Sequence, residues 1–121
     1  MLPGNVTENG VLTIHLRADL DISGRAAAAW AIDGYLAAHR SAPVMLELSD
    51  APLSTAAVST AVRTHRMCRT AGGQLAVIAT AAETRRTLEA QTGAEGLVIQ
   101  PTRSLAATAL SNASAPVATA A

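Results

Sequence analysis

Val44-Met45-Leu46-Glu47-Leu48, followed after a short gap by Ala51-Pro52-Leu53-Ser54-Thr55-Ala56-Ala57-Val58-Ser59-Thr60-Ala61-Val62, is the stretch that decides the fold. The first five residues follow Pro43 and are mostly apolar, a length and composition that favour a buried strand over a helix. From Ala56 onward, Val58, Ala61, Val62, His65 and then Cys68 or Arg69 recur at helical spacing, until Gly72-Gly73 stops the run as a C-cap pair does. A buried strand that leads directly into an amphipathic helix is the repeating half of a parallel α/β sheet. Between the two stand Ser54 and Thr55, where helix-opening amides favour a negative charge.

The same alternation extends in both directions. Val11 to Arg17 places Leu12, Ile14 and Leu16 on one face and Thr13, His15 and Arg17 on the other, as a half-buried strand does, so His15 is expected to point away from the main core. A turn through Asp19, Leu20 and Asp21 reaches Ser23, the expected N-cap of an alanine-rich helix that carries Trp30 and Leu36 and ends near His39 and Arg40. Downstream, Gln74 to Ala79 reads as a buried strand, Glu83 to Gln91 as a helix closed by Gly93, and Leu97 to Ile99 as a further strand. After Pro101, Ser104 to Leu110 forms a last short helix. Ser111 to Ala121 is small and polar without periodicity, which predicts a flexible tail. The expectation is one α/β domain over residues 1–110, a mostly parallel sheet alternating with helices, and a C-terminal tail over 111–121.

Composition narrows the function classes. The 121 residues are half hydrophobic, which suits one domain with its own core, and the formal net charge of +0 offers no general attraction to nucleic acid or to an anionic membrane. Arg, Asp or Glu interrupts every apolar run before the roughly 18 residues of a membrane span, so no membrane insertion is expected. Cys68 is the single cysteine, and the N-terminus shows no signal-peptide pattern, so a cytoplasmic location is expected. With aromatics confined to Trp30 and Tyr35, the core must rest on many small aliphatic contacts.

The residues that could carry chemistry point away from catalysis. Cys68 falls near the apolar face of its helix, where a free thiol behaves as a small hydrophobe. His15, His39 and His65 lie on separate elements without ligand spacing, so no metal set is expected. Asp19 and Asp21 have no accompanying nucleophile, and a strand-to-helix turn accounts for them. Gly72-Gly73 ends a helix and lacks the Gly-Lys-Ser/Thr of a nucleotide loop, so no cofactor is expected. Arg85 and Arg86 read as a solvated face.

Taken in order, these segments resemble the STAS domain, and in particular its anti-sigma factor antagonists, from about Val11 to Leu110. Ala18-Asp19-Leu20-Asp21 stands where the family commonly reads Gly-Glu-Leu-Asp, and Leu46-Glu47-Leu48-Ser49 where it reads Leu-Asp-Leu-Ser. Arg63-Thr64-His65-Arg66 through Gly72-Gly73 and Val77 is similar to the second helix and following strand, and Arg85-Arg86-Thr87-Leu88 to Thr92-Gly93 to the third helix. The departure falls on the motif Asp-Ser-Ser-Gly-Leu, whose first serine is the family's phosphoacceptor; this chain has Ser54-Thr55-Ala56-Ala57-Val58. Counting back from Gly72-Gly73 puts Thr55 on the acceptor and Ser54 on the aspartate. Counting forward from Leu48 puts Ala56 there, and the helix-anchored count is preferred because loops absorb deletions more readily than packed helices.

What the resemblance implies is a non-enzymatic binding module that docks on an anti-sigma serine/threonine kinase, with Thr55 and Ser54 as phosphoacceptor candidates and a serine/threonine phosphatase as a further partner. By the same resemblance Asp19, Asp21, Ser54, Thr55, Ala56 and Ala57 border the partner surface, and nucleic acid is not contacted directly. The runner-up is a non-phosphorylated STAS adaptor on the ATPase of an ABC-type lipid-transport machine. The residues alone also fit a plainer role for Ser54 or Thr55, as an N-cap contributing about 1 kcal/mol.

Overall fold

The structure, a computed structural model, describes residues 3–40 and 42–114. Its five strands form one sheet in the order β1-β2-β3-β4-β5. β1 (Gly4–Glu8) and β2 (Val11–Leu16) are antiparallel, and β3 (Val44–Leu48), β4 (Leu75–Ile78) and β5 (Val98–Gln100) add in parallel beyond β2. The four helices are α1 (Ile22–Ala38), α2 (Thr55–Thr70), α3 (Ala82–Thr92) and α4 (Arg103–Ser114). The parallel register sets Leu12 beside Val44 and Val44 beside Leu75, so the apolar faces of neighbouring strands line up in rows.

The sheet is covered on both faces, unequally. On one side Leu12, Ile14, Leu16, Val44, Leu46, Leu48, Leu75 and Val77 pack with Ala28 and Ile32 of α1, Ala57, Ala61 and Cys68 of α2, and Leu88 of α3. On the other, Met45, Ala76 and Ile78 pack with Ala106 and Leu110 of α4. The larger cluster is built from small and branched side chains, each fully buried Leu or Ile contributing about 1.5–3 kcal/mol. Arg103 ties the start of α4 to β3 through Glu47, at 2.7 and 2.9 Å, an exposed pair that contributes about 0–1 kcal/mol.

Several boundaries differ from the sequence reading. β1 was not expected, since all five of its residues are exposed and show no apolar alternation. Its hairpin with β2 turns through Asn9 and Gly10, with φ of 53° and 79°, the left-handed pair that Asn-Gly supplies to a two-residue turn. The N-cap of α1 is Asp21, not Ser23: the Asp21 carboxylate accepts from the Gly24 amide, and the Ser23 hydroxyl donates to the same oxygen. Gly93 is the C-cap of α3, as the sequence reading expects, but it keeps a right-handed conformation, so the chain continues in a 3-10 turn to Glu95 and reverses at Gly96, whose φ is 71°. α4 runs to Ser114, so the first residues of the expected tail are helical, and 115–121 lie outside the described residues. Trp30, on α1 as the sequence reading expects, stands 74 % exposed.

Candidate functional site

The gap between β3 and α2 is short, and backbone hydrogen bonds fix its path. The Ser49 amide donates to the Leu16 carbonyl at 3.0 Å, and the Ser49 hydroxyl accepts from the Ala18 amide at 2.9 Å. The Ser54 amide donates to the Ala18 carbonyl at 2.7 Å. The loop after β2 and the loop after β3 are therefore stitched together at the carboxyl ends of their strands, with Ala18 and Leu20 buried beneath them.

Ser54 completes this junction. Its hydroxyl oxygen accepts from the Ala57 amide at 3.1 Å, capping α2, while its proton goes to the Leu20 carbonyl of the neighbouring loop. Both capacities of the hydroxyl are in use, and the side chain is half-buried. Thr55 is the first residue of α2, is exposed, and its hydroxyl makes no hydrogen bond among the described residues. Of the two hydroxyls, Thr55 is the accessible one.

Ala56 and Ala57 do not lie on the surface, contrary to the expectation that they border the partner. They are 2 % and 0 % exposed, because within the first turn of α2 these two positions already face the core while Thr55 faces out. The forward-counted acceptor position is thus a buried alanine, and the helix-anchored register places the hydroxyl outside. The two alanines instead belong to the main core cluster, together with Leu16 and Leu48.

The flanking carboxylates are held in fixed positions. Arg17 grips Asp19 with two bonds of 2.9 Å, which lowers the Asp19 carboxyl below its ordinary range and raises the guanidinium. The Ser23 hydroxyl, followed by the Gly24 amide, lowers the Asp21 carboxyl in the same direction. Both acids are exposed and stay ionised at neutral pH. α2 itself carries no acid in its first turn, so no carboxylate of the helix answers its opening amides, of which that of Ala57 is taken by the Ser54 hydroxyl.

The remaining polar groups have structural occupations. Cys68 is buried, and burial pushes its thiol up to about 11, which leaves it protonated and unreactive at neutral pH. His65 Nε2 lies 2.9 Å from the Glu95 carbonyl, and Arg66 clasps the Glu95 carboxylate at 2.7 and 2.9 Å, fastening the turn after α3 to α2. His15 sits 3.4 Å from Glu47 on the α4 side of the sheet, as the strand alternation predicted. Arg85, read from the sequence as a solvated face, instead donates to the Ala79 and Thr80 carbonyls at 2.8 and 2.7 Å and closes the end of β4. Among the described residues no three His, Cys, Asp or Glu side chains converge on a point where a metal could sit, and no helix is long and apolar enough to cross a membrane. Sequence reasoning missed two surface features here, Ile22 at 75 % exposure beside the Asp21 cap and Trp30 further along α1.

Comparison with known proteins follows the same architecture. The chain resembles the crystal structure of an anti-sigma factor antagonist from Mycobacterium paratuberculosis with a TM-score of 0.74, at 22 % identity, over 90 % of this chain and 92 % of that one. A Thermotoga maritima protein provisionally described as an anti-sigma factor antagonist superimposes with a TM-score of 0.71, at 17 % identity, over 90 % of this chain and 94 % of the other. No curated protein sequence is similar enough to count as a relative. The sequence pattern of the STAS domain matches residues 4–106, which span the strands β1 to β5, the first three helices and the loops after β2 and β3, and the chain belongs to the STAS domain family.

Proposed function

We propose that this domain is an anti-sigma factor antagonist, a regulatory module without catalysis of its own that docks on an anti-sigma serine/threonine kinase and is released when Thr55 is phosphorylated. The observation that carries the reading is the state of Thr55: an exposed hydroxyl at the first position of α2, set on a junction whose other hydroxyl, Ser54, is fully occupied. The resemblance to solved antagonists supports the same role.

The docking surface comprises Thr55 with the loop carboxylates Asp19 and Asp21, Ser54 setting its geometry from below. A phosphate on Thr55 adds about −1.5 to −2 charge and three acceptor oxygens. The α2 amides tolerate that charge within the domain, because no acid of the first turn competes for them. Against a partner shaped for the neutral hydroxyl, the same group must be desolvated beside the Asp19 and Asp21 side of the surface, and binding weakens. The aspartate and glycine that flank the acceptor in related proteins are replaced by Ser54 and Ala57, so the kinase that acts here must read Thr55 without them.

The test uses the native chain, Thr55→Ala and Thr55→Glu with the cognate anti-sigma kinase and ATP. Intact mass should rise by one phosphate in the native protein and not in Thr55→Ala, while Thr55→Glu loses kinase binding that Thr55→Ala retains. Normal binding by a native chain that never gains mass sinks the phosphorylation step. Capture of the ATPase subunit of an ABC-type transporter, with no kinase retained, selects the adaptor reading on the same surface.

A further inference from the structure

Among the described residues, nothing covers Ile22 and Trp30 on the outer face of α1. α1 buries Ala28, Ala31 and Ile32 against the sheet, yet its opposite face is apolar as well and carries two large exposed hydrophobes, Ile22 at 75 % and Trp30 at 74 %. Soluble helices ordinarily present polar residues there. Trp30 is the single tryptophan, and a largely exposed indole on a helix surface is the kind of residue that anchors an interface.

The order of residues on this face identifies what covers it. Trp30 is the middle residue of the 17-residue helix. Reversing α1 about that point sets Ile22 opposite Ala38 and Ala26 opposite Gly34, and all of these are exposed. Each large side chain meets a small one, and Trp30 meets itself. A face that is complementary to its own reversal is what an isologous two-fold contact requires. The charges at the ends agree: the helix opens on exposed Asp21 and closes on exposed Arg40, so an antiparallel copy brings each acidic start beside the other's basic end. Asp33, at the edge of the face, is already neutralised by Arg63 at 2.8 and 2.9 Å and adds no repulsion.

We infer that α1 is a self-association surface, on which a second copy of this chain packs antiparallel with the two Trp30 side chains in contact. The helix is about 25 Å long at 1.5 Å per residue. A single helix pair of that length falls at the low end of interface size, below about 1,200 Å², so the dimer is a weak one. Its Kd is expected in the micromolar range, on the order of 10–100 μM.

Sedimentation velocity on the full chain from about 1 μM to about 1 mM tests this, with tryptophan emission as the local reporter. The expected result is a rise from monomer to dimer with a matching blue shift of the emission. Trp30→Ala should weaken association at least about tenfold, the scale of an interface anchor. Gly34→Leu should do the same by placing bulk against Ala26 of the second copy, although a Cβ at Gly34 meets nothing within 4 Å in its own chain. Circular dichroism of both variants should match the native chain, which separates lost association from lost folding. A monomer throughout the range overturns the inference, and so does a dimer that both variants leave intact, because it must then form through another face.

Discussion

α1 and α2 both follow parallel strands, start at the same edge of the sheet and are N-capped by a side chain, yet they handle their first amides differently. α1 is capped by a carboxylate: Asp21 accepts from Gly24 at 2.8 Å and stays exposed. α2 is capped by a neutral hydroxyl that also reaches across to the Leu20 carbonyl. The positive end of α1 is therefore answered by its own acid, whereas α2 has a neutral cap and no acid in its first turn. The difference is one of access: Ser23 already donates to Asp21, whereas the exposed Thr55 makes no hydrogen bond among the described residues, which is why the proposed switch is put on the second hydroxyl.

The largest effect expected from breaking this contrast is at Ser54. Ser54→Ala removes an N-cap, costing about 1 kcal/mol. It also leaves the part-buried Leu20 carbonyl without its donor, which adds on the order of 1 kcal/mol. Denaturant unfolding should show a loss of about 2 kcal/mol with an unchanged m-value. A loss confined to a few tenths means that the latch between the two loops carries no load.

Asp21→Ala should cost less, because its bonds are local and exposed. It also has a pH signature that Ser54 lacks. The Asp21 carboxyl is lowered from its usual 3.8 by Ser23 and then by Gly24, so its contribution is fully present above that value and disappears as pH falls through the lower folded one. The stability gap between native and Asp21→Ala proteins should close below about pH 4, while the gap for Ser54→Ala stays open. Parallel urea titrations at neutral and acid pH distinguish the two caps.

How far the sequence revealed this pair depends on what each residue has to do. Leu12, Ile14 and Leu16 are legible as a strand because burial on one face demands alternation, and Val58, Ala61, His65 and Cys68 as a helix because they repeat on one side. β1 escaped because an edge strand exposed on both faces needs no apolar pattern; Asn9-Gly10 was the signal for it. The cap of α1 was misplaced by two residues because Ser23 and Asp21 both suit the position, and only backbone geometry decides between them. Alanine is neutral between core and surface, so the run from Ala26 to Ala29 could not show that Trp30 faces outward or that Ala56 and Ala57 face inward. The register of Thr55 rests on counting back from Gly72-Gly73, an alignment to the family motif and not a packing pattern.

The smallest effect expected is also the most diagnostic. Thr55→Glu puts a carboxylate in the first turn of α2, where no acid stands now, and a charge so placed stabilises by about 0.3–1 kcal/mol at low ionic strength. The repulsion of Asp19 and Asp21 acts against it through solvent and reduces the gain toward the lower figure. A small rise in Tm that fades with added salt is the expected outcome in thermal unfolding. A fall equivalent to more than about 1 kcal/mol means that the Thr55 side chain is packed rather than free. With the fold retained and no less stable, a loss of partner binding by Thr55→Glu arises at the interface and not from unfolding of the domain.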